Sequence, residues 1–174
     1  MFWRGVVLSL AAVILSGCVT ERSGLDFVSM SQKIGPPRVG QARIVVFREK
    51  GYAGIGDQGW DIKLDDGPLP DLKTGTYVYL DRPAGHHQLS ATMDLFVGVT
   101  RVDVPAESGR TYFFLARPSQ KLKTLNAMAA AGGIAGLVVG AMVTSNNDNP
   151  GPLDFFPMDD VTARAAMADL RLTP

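Results

Sequence analysis

The sequence predicts a mainly β protein: a small antiparallel β-sandwich of immunoglobulin-like type, with an added Gly/Ala-rich helical segment and a C-terminal helix. Three observations carry that expectation. Between Ala42 and Pro118, six or seven short apolar runs are separated by turn residues, the pattern of a two-layer antiparallel fold. From Ala127 to Val143 the chain holds no charge and is rich in alanine and glycine. Near the C-terminus, Val161, Ala165, Ala168 and Leu172 recur at helical spacing.

Taken in order, the chain opens on a compact export signal. Met1 to Arg4 carry one positive charge, and Gly5 to Leu15 form an apolar run of about 17 Å as a helix, too short for a bilayer core of roughly 30 Å. Leu15-Ser16-Gly17-Cys18 then resembles the lipobox of bacterial lipoprotein precursors. That resemblance implies cleavage between Gly17 and Cys18, a diacylglycerol on the Cys18 thiol and an acyl chain on the freed amine. Val19, where some lipoproteins carry aspartate, implies sorting to the outer membrane, facing the periplasm. Several acyl chains hold a protein on a membrane far more firmly than one. Cys18 is the only cysteine, so its modification leaves the mature domain without a disulfide and reliant on its core.

The domain organisation follows from composition. Residues 1–17 read as signal peptide and 18–40 as a tether, mixing Ser, Gly and charges ahead of Pro36-Pro37. As a flexible coil, that tether spans roughly 25 Å and lifts the domain off the headgroups. Leu25, Phe27, Val28 and Met30 are its candidates for docking. Residues 41–118 are the sandwich, 119–149 the Gly/Ala-rich helical segment, and 150–174 a late strand and the closing helix.

Within the sandwich, Ile44 to Phe47 are apolar on both faces, as in a central strand. Trp60, Ile62 and Leu64 alternate with Asp61, Lys63 and Asp65, which gives one wet face, and Asp66-Gly67 then predicts a hairpin. Thr76 to Leu80 separates Tyr77 and Tyr79 from Val78 and Leu80. His87 to Met93, Phe96 to Val104 and Thr111 to Ala116 complete the set. After Pro150, Leu153 to Phe156 reads as a strand rejoining the sheet, and Asp159 or Asp160 as the N-cap of a helix from Val161 to Leu172.

These pieces also resemble an uncharacterised bacterial lipoprotein family, domain of unknown function 2846. The matching residues are Ala42-Arg43-Ile44, Leu64-Asp65-Asp66-Gly67, Lys73 to Tyr79, and Pro83-Ala84-Gly85 before His87. The resemblance covers roughly residues 41–118. It implies a small β-sandwich and brings neither an activity nor a site.

Motifs that suggest chemistry are weak in context. Gly54 to Gly59 fits GxGxxG, but a strand follows where a dinucleotide site needs a helix. As an exposed loop it offers Tyr52, Ile55 and Trp60 as partner contacts. His86 and His87 are adjacent on a strand and point to opposite faces, so they do not chelate one ion. Asp57, Asp61, Asp65, Asp66 and Asp71 lack the ligand order of a calcium loop. No catalytic residue, metal or bound cofactor is expected beyond the covalent lipid.

The Gly/Ala-rich segment is the second unusual feature. Gly132, Gly136 and Gly140 recur every four residues, so one helical stripe admits another helix closely. As a helix the run is about 26 Å long, marginal for crossing a bilayer. Three readings stand: a helix or hairpin on the sandwich or membrane interface, a self-association surface, and a span. The outer-membrane destination disfavours the last.

With 17 Lys/Arg against 17 Asp/Glu and no basic run, the chain is not built for nucleic acid. The expectation is therefore a lipid-anchored envelope protein with a non-enzymatic binding or scaffolding sandwich, its partner being another envelope protein or a second copy. The alternative is an envelope enzyme or small-ligand carrier with a pocket between sandwich and helices.

Overall fold

Ile44 to Phe47 carry apolar side chains on both faces of an extended chain, and the structure buries both. A computed structural model of the chain describes residues 24–51, 60–94, 96–128, 130 and 151–174. The architecture is a two-sheet β-sandwich with helices. Strand β1 (Gln41–Phe47) lies at the centre of a five-stranded sheet, between β4 (Thr76–Pro83) and β7 (Thr111–Pro118). The sheet is extended by β8 (Leu153–Met158) beyond β7 and β9 (Arg171–Leu172) beyond β4. A four-stranded sheet faces it, in the order β3 (Gly67–Pro68), β2 (Trp60–Leu64), β5 (Gly85–Met93) and β6 (Thr100–Ala106).

Side-chain alternation sorts residues into two cores. Ile44, Val46, Val78, Phe114 and Phe155 meet Ile62, Leu64, Leu89, Ala91 and Val104 between the sheets. Val45, Phe47, Tyr77, Phe113 and Leu115 point the other way and are covered by helices. Helix α1 (Phe27–Ile34) contributes Phe27 and Met30. Helix α3 (Asp160–Ala166) and the turn after it contribute Ala163, Met167 and Leu170. The five-stranded sheet is thus the middle of three layers, while Asp61, Gln88, Arg101 and Asp103 keep the outer face of the other sheet wet. Fully burying one such aliphatic or aromatic side chain stabilises by about 1.5–3 kcal/mol, and the cores together replace any need for a disulfide. A further helix, α2, begins at 120 and is described to 128, with Leu122 in the inter-sheet core.

Several expectations change in detail. The five-stranded sheet is mixed, because β1 runs parallel to β7 and β4 parallel to β9. Its first strand is central, as its two apolar faces predict, and the strand order therefore differs from that of an immunoglobulin domain. The sandwich does not close at residue 118: β8 and β9 complete its larger sheet. Part of the expected tether is folded, since Asp26 caps α1 by accepting from the Ser29 amide at 2.8 Å, and Phe27 packs edge-on against Tyr77 and Phe113.

The hairpin turn is Asp65-Asp66 rather than Asp66-Gly67. Leu64 pairs with Gly67, and the two aspartates adopt φ of 53° and 63°. A two-residue turn of this twist needs positive φ at both central positions, which short polar side chains tolerate better than most. The strand expected from Phe96 starts only at Thr100. The closing helix is capped by Asp159 as expected but ends at Ala166. Val161 is 78% exposed, and the buried positions are Ala163, Met167 and Leu170 instead. The chain turns away after Met167 because Arg171 and Leu172 complete the sheet beside Thr76 and Tyr77.

Candidate functional site

The register of the strands separates the two ends of the sandwich. One end closes tightly: two residues join β2 to β3, Ala84 alone joins β4 to β5, and residues 107–110 join β6 to β7. The opposite end carries the long connections 48–59, 94–99 and 119–152. Loops grouped on a rigid scaffold are where binding surfaces concentrate. The chain from the N-terminus also arrives there, because the Leu25 carbonyl accepts from the Leu172 amide at 2.8 Å and the Tyr77 hydroxyl at 3.0 Å. Tyr77 lies opposite Phe47, the last residue of β1.

The longest connection is pinned at both feet. The Ser119 amide donates to the Pro152 carbonyl at 2.9 Å and its hydroxyl to the Gly151 carbonyl at 2.8 Å. The Thr100 hydroxyl donates to the Leu153 carbonyl at 2.5 Å, tying the returning chain to the other sheet. A Cβ on Gly151 would fall 2.1 Å from the Thr100 amide nitrogen, so only glycine fits this approach.

Beside those feet lies a cationic hollow of about 260 Å³. Arg48, Lys50, Arg117 and Lys123 line it together with Glu49. Glu49 binds Arg117 at 2.6 Å, and Asp154 stands opposite Arg117 in the β7–β8 ladder. Arg48, 2% exposed, donates to the Leu72 carbonyl at 2.9 Å and stacks its guanidinium 4.8 Å above Trp60. On the same helix as Lys123, the Lys121 ammonium donates to the Val97 carbonyl at 2.8 Å and lies 5.0 Å from the Phe96 ring. Val97 itself is 85% exposed.

Two other polar groupings lie away from this end. At the tight end, the two ring nitrogens of His87 lie 2.5 Å from Asp65 and 2.7 Å from the Pro83 carbonyl. Burial alone lowers the imidazole pKa, but these two acceptors favour the doubly protonated ring and hold it above its usual 6.5. Burial works in the opposite sense on Asp65, yet the Gln88 amide and His87 hold its carboxyl below the ordinary range. Between β1, α1 and α3 sits a hollow of about 280 Å³ lined by Phe27, Ser31, Arg43 and Arg164, among others. Arg43 is already engaged, in two bonds of 2.7 and 2.9 Å to Asp81 and one of 2.7 Å to the Gly35 carbonyl. Arg164 pairs with Asp160 at 2.8 Å and stacks over Phe27.

The residues singled out by sequence fare unevenly. Gly17, Cys18, Gly132, Gly136 and Gly140 lie outside the described residues, as do Tyr52 and Ile55. Trp60 is not an exposed contact: it is 6% exposed in the inter-sheet core, where the period of β2 points it inward. His87 is a turn-locking group, and His86 is exposed on the opposite face. Asp61 and Asp71 are ion-paired with Lys63 and Lys73. Sequence reasoning missed the grouping of Arg48, Lys50, Arg117 and Lys123, because these residues come from two distant stretches, 48–50 and 117–123.

No family model, curated protein or solved structure matches this chain. Among the described residues, no helix is long and apolar enough to cross a membrane.

Proposed function

We propose that this chain is a lipid-anchored protein of the bacterial envelope whose β-sandwich is a binding or scaffolding module rather than an enzyme. The observation that carries the reading is Leu15-Ser16-Gly17-Cys18, closing an apolar run too short to span a bilayer. The fold supports it. Both faces of the central sheet are filled with apolar side chains, and the long loops gather at one end. The resemblance of residues 41–118 to the family of unknown function 2846 belongs to the same proposal.

The alternative, an enzyme or small-ligand carrier, draws on the hollow between β1, α1 and α3. That hollow lies just below the roughly 300–1,000 Å³ of typical ligand pockets, and its two guanidiniums are already paired. The binding-module reading is therefore preferred.

Cys18→Ala tests the anchor. The wild-type chain should incorporate labelled palmitate and fractionate with the outer membrane. The variant should lose the label and leave that fraction. Unchanged fractionation without label would end the lipoprotein reading. In-cell crosslinking of the mature protein tests the module: recovery of a defined envelope partner or a homo-oligomer is expected, and recovery of neither counts against it.

A further inference from the structure

We propose that the loop-bearing end of the sandwich is the face this protein lays on an anionic phospholipid surface, the same membrane that holds its anchor. The inference rests on lipidation of Cys18 and adds to it an orientation and a headgroup chemistry.

The first argument is reach. Leu25 is fixed at the loop-bearing end by Leu172 and Tyr77. From Cys18 to Leu25 the chain can extend at most about 25 Å. The sandwich strands, seven to nine residues long, separate its two ends by roughly 23–30 Å. The anchor therefore reaches a membrane beside the loop-bearing end at any tether extension, whereas the tight-turn end is attained only by a chain close to fully extended. A tether of the full length from Cys18 to Gly40 would leave the orientation open; docking of α1 restricts that freedom.

The second argument is charge. Lys50, Lys73 and Lys123 are exposed at this end, beside Arg48, Arg117 and Lys121, and they outnumber the acids Glu49, Asp71, Asp94 and Asp154. Cations grouped at a membrane-proximal surface are drawn to anionic headgroups. The third argument is apolar surface placed among those cations. Val97 is exposed under the Lys121 contact. Ala127 and Met128, which begin the uncharged run, follow Lys123 on α2 and line a shallow hollow with it. Cations bordering apolar groups are the composition of a surface that sits at the headgroup boundary.

The test uses the full, processed protein in vesicles of phosphatidylethanolamine and phosphatidylglycerol. Intact mass first establishes the acyl chains; their absence sinks the lipidation reading itself. Val97→Cys or Ala84→Cys then supplies the only free thiol for a fluorophore, and a spin-labelled headgroup lipid quenches it. Quenching at Val97 should exceed that at Ala84, which lies at the tight end, by at least about fivefold. Replacing phosphatidylglycerol with phosphatidylcholine should cut the Val97 quenching at least about threefold, and K50E/K123E should do the same. Equal or reversed quenching on acylated protein overturns the orientation. Quenching indifferent to lipid charge overturns the headgroup chemistry. An unquenched Val97 label, with a photocrosslinker on the same thiol joining this site to another protein, overturns the proposal in favour of a protein partner.

Discussion

His87 joins the two strands flanking the tight end, and its two acceptors make that junction pH-dependent. The imidazolium can donate to both Asp65 and the Pro83 carbonyl, whereas the neutral ring donates to only one. A raised folded pKa means the bond's contribution is full below the unfolded value of about 6.5 and fades as pH rises through the folded value. The lowered Asp65 acts in the opposite direction, contributing above about 3.8 and fading as pH falls through its folded value. The pair is therefore strongest in mildly acidic solution. Because Asp65 is partly exposed, the expected contribution is only about 0.5 kcal/mol. His87→Gln should flatten the stability profile between roughly pH 6 and 8 in urea titrations. A variant with the same slope as wild type would show that the pair does not titrate with folding.

At the scale of elements, α1 converts what reads as a tether into part of the fold. Its eight residues are too few for an isolated helix in water, so it depends on packing. Phe27 and Met30, three positions apart, supply that packing against Val45, Phe47 and Phe113. Met30→Ala should cost about 2–5 kcal/mol of unfolding free energy in urea, the range for a large core side chain removed without collapse. Val28→Ala, on the exposed side of the same helix, should stay within about 0.5 kcal/mol of wild type. Equal effects would mean that α1 is not docked. The signals for this helix were present in Asp26, in Ser29 and in the spacing of Phe27, Met30 and Ile34. Pro36-Pro37 and the surrounding polar residues masked them. At α3, period alone selected the wrong stripe, because a helix as short as Asp160–Ala166 fits several registers.

At the scale of the molecule, the 119–152 connection is a closed excursion. It leaves from Pro118 and returns at Leu153, residues that pair across β7 and β8. A segment that crossed a bilayer once would leave its two feet on opposite sides, and here the feet share hydrogen bonds. Two crossings need about 20 apolar residues each, more than the run from Ala127 to Val143 contains. The described feet therefore argue against a single crossing, while the run itself lies outside the described residues. The fold should also stand without the excursion. Replacing residues 129–150 by a Gly/Ser linker of about eight residues, reaching about 27 Å, spans the roughly 13 Å length of α2 back to its foot. Thermal unfolding should shift by only a few degrees, while membrane association in high salt should weaken. Collapse of the folded state would show instead that the excursion packs into the core.

Local pattern was enough to reach the sandwich class, the central place and two-faced burial of β1, the face assignments of β2 (Trp60 included), β4 and β5, and the return of the chain at Leu153. Each of these rests on local alternation, which a strand's period of two writes directly into neighbouring residues. Long-range pairing set the parallel register of β1 on β7 and the meeting of Arg48, Lys50, Arg117 and Lys123 at one end. Those outcomes depend on which distant strands pair, and no local period records that choice. The placement of Leu25 at the loop-bearing end belongs to the same class. It follows from two hydrogen bonds to Leu25, whose donors lie 52 residues away at Tyr77 and at the far end of the chain at Leu172.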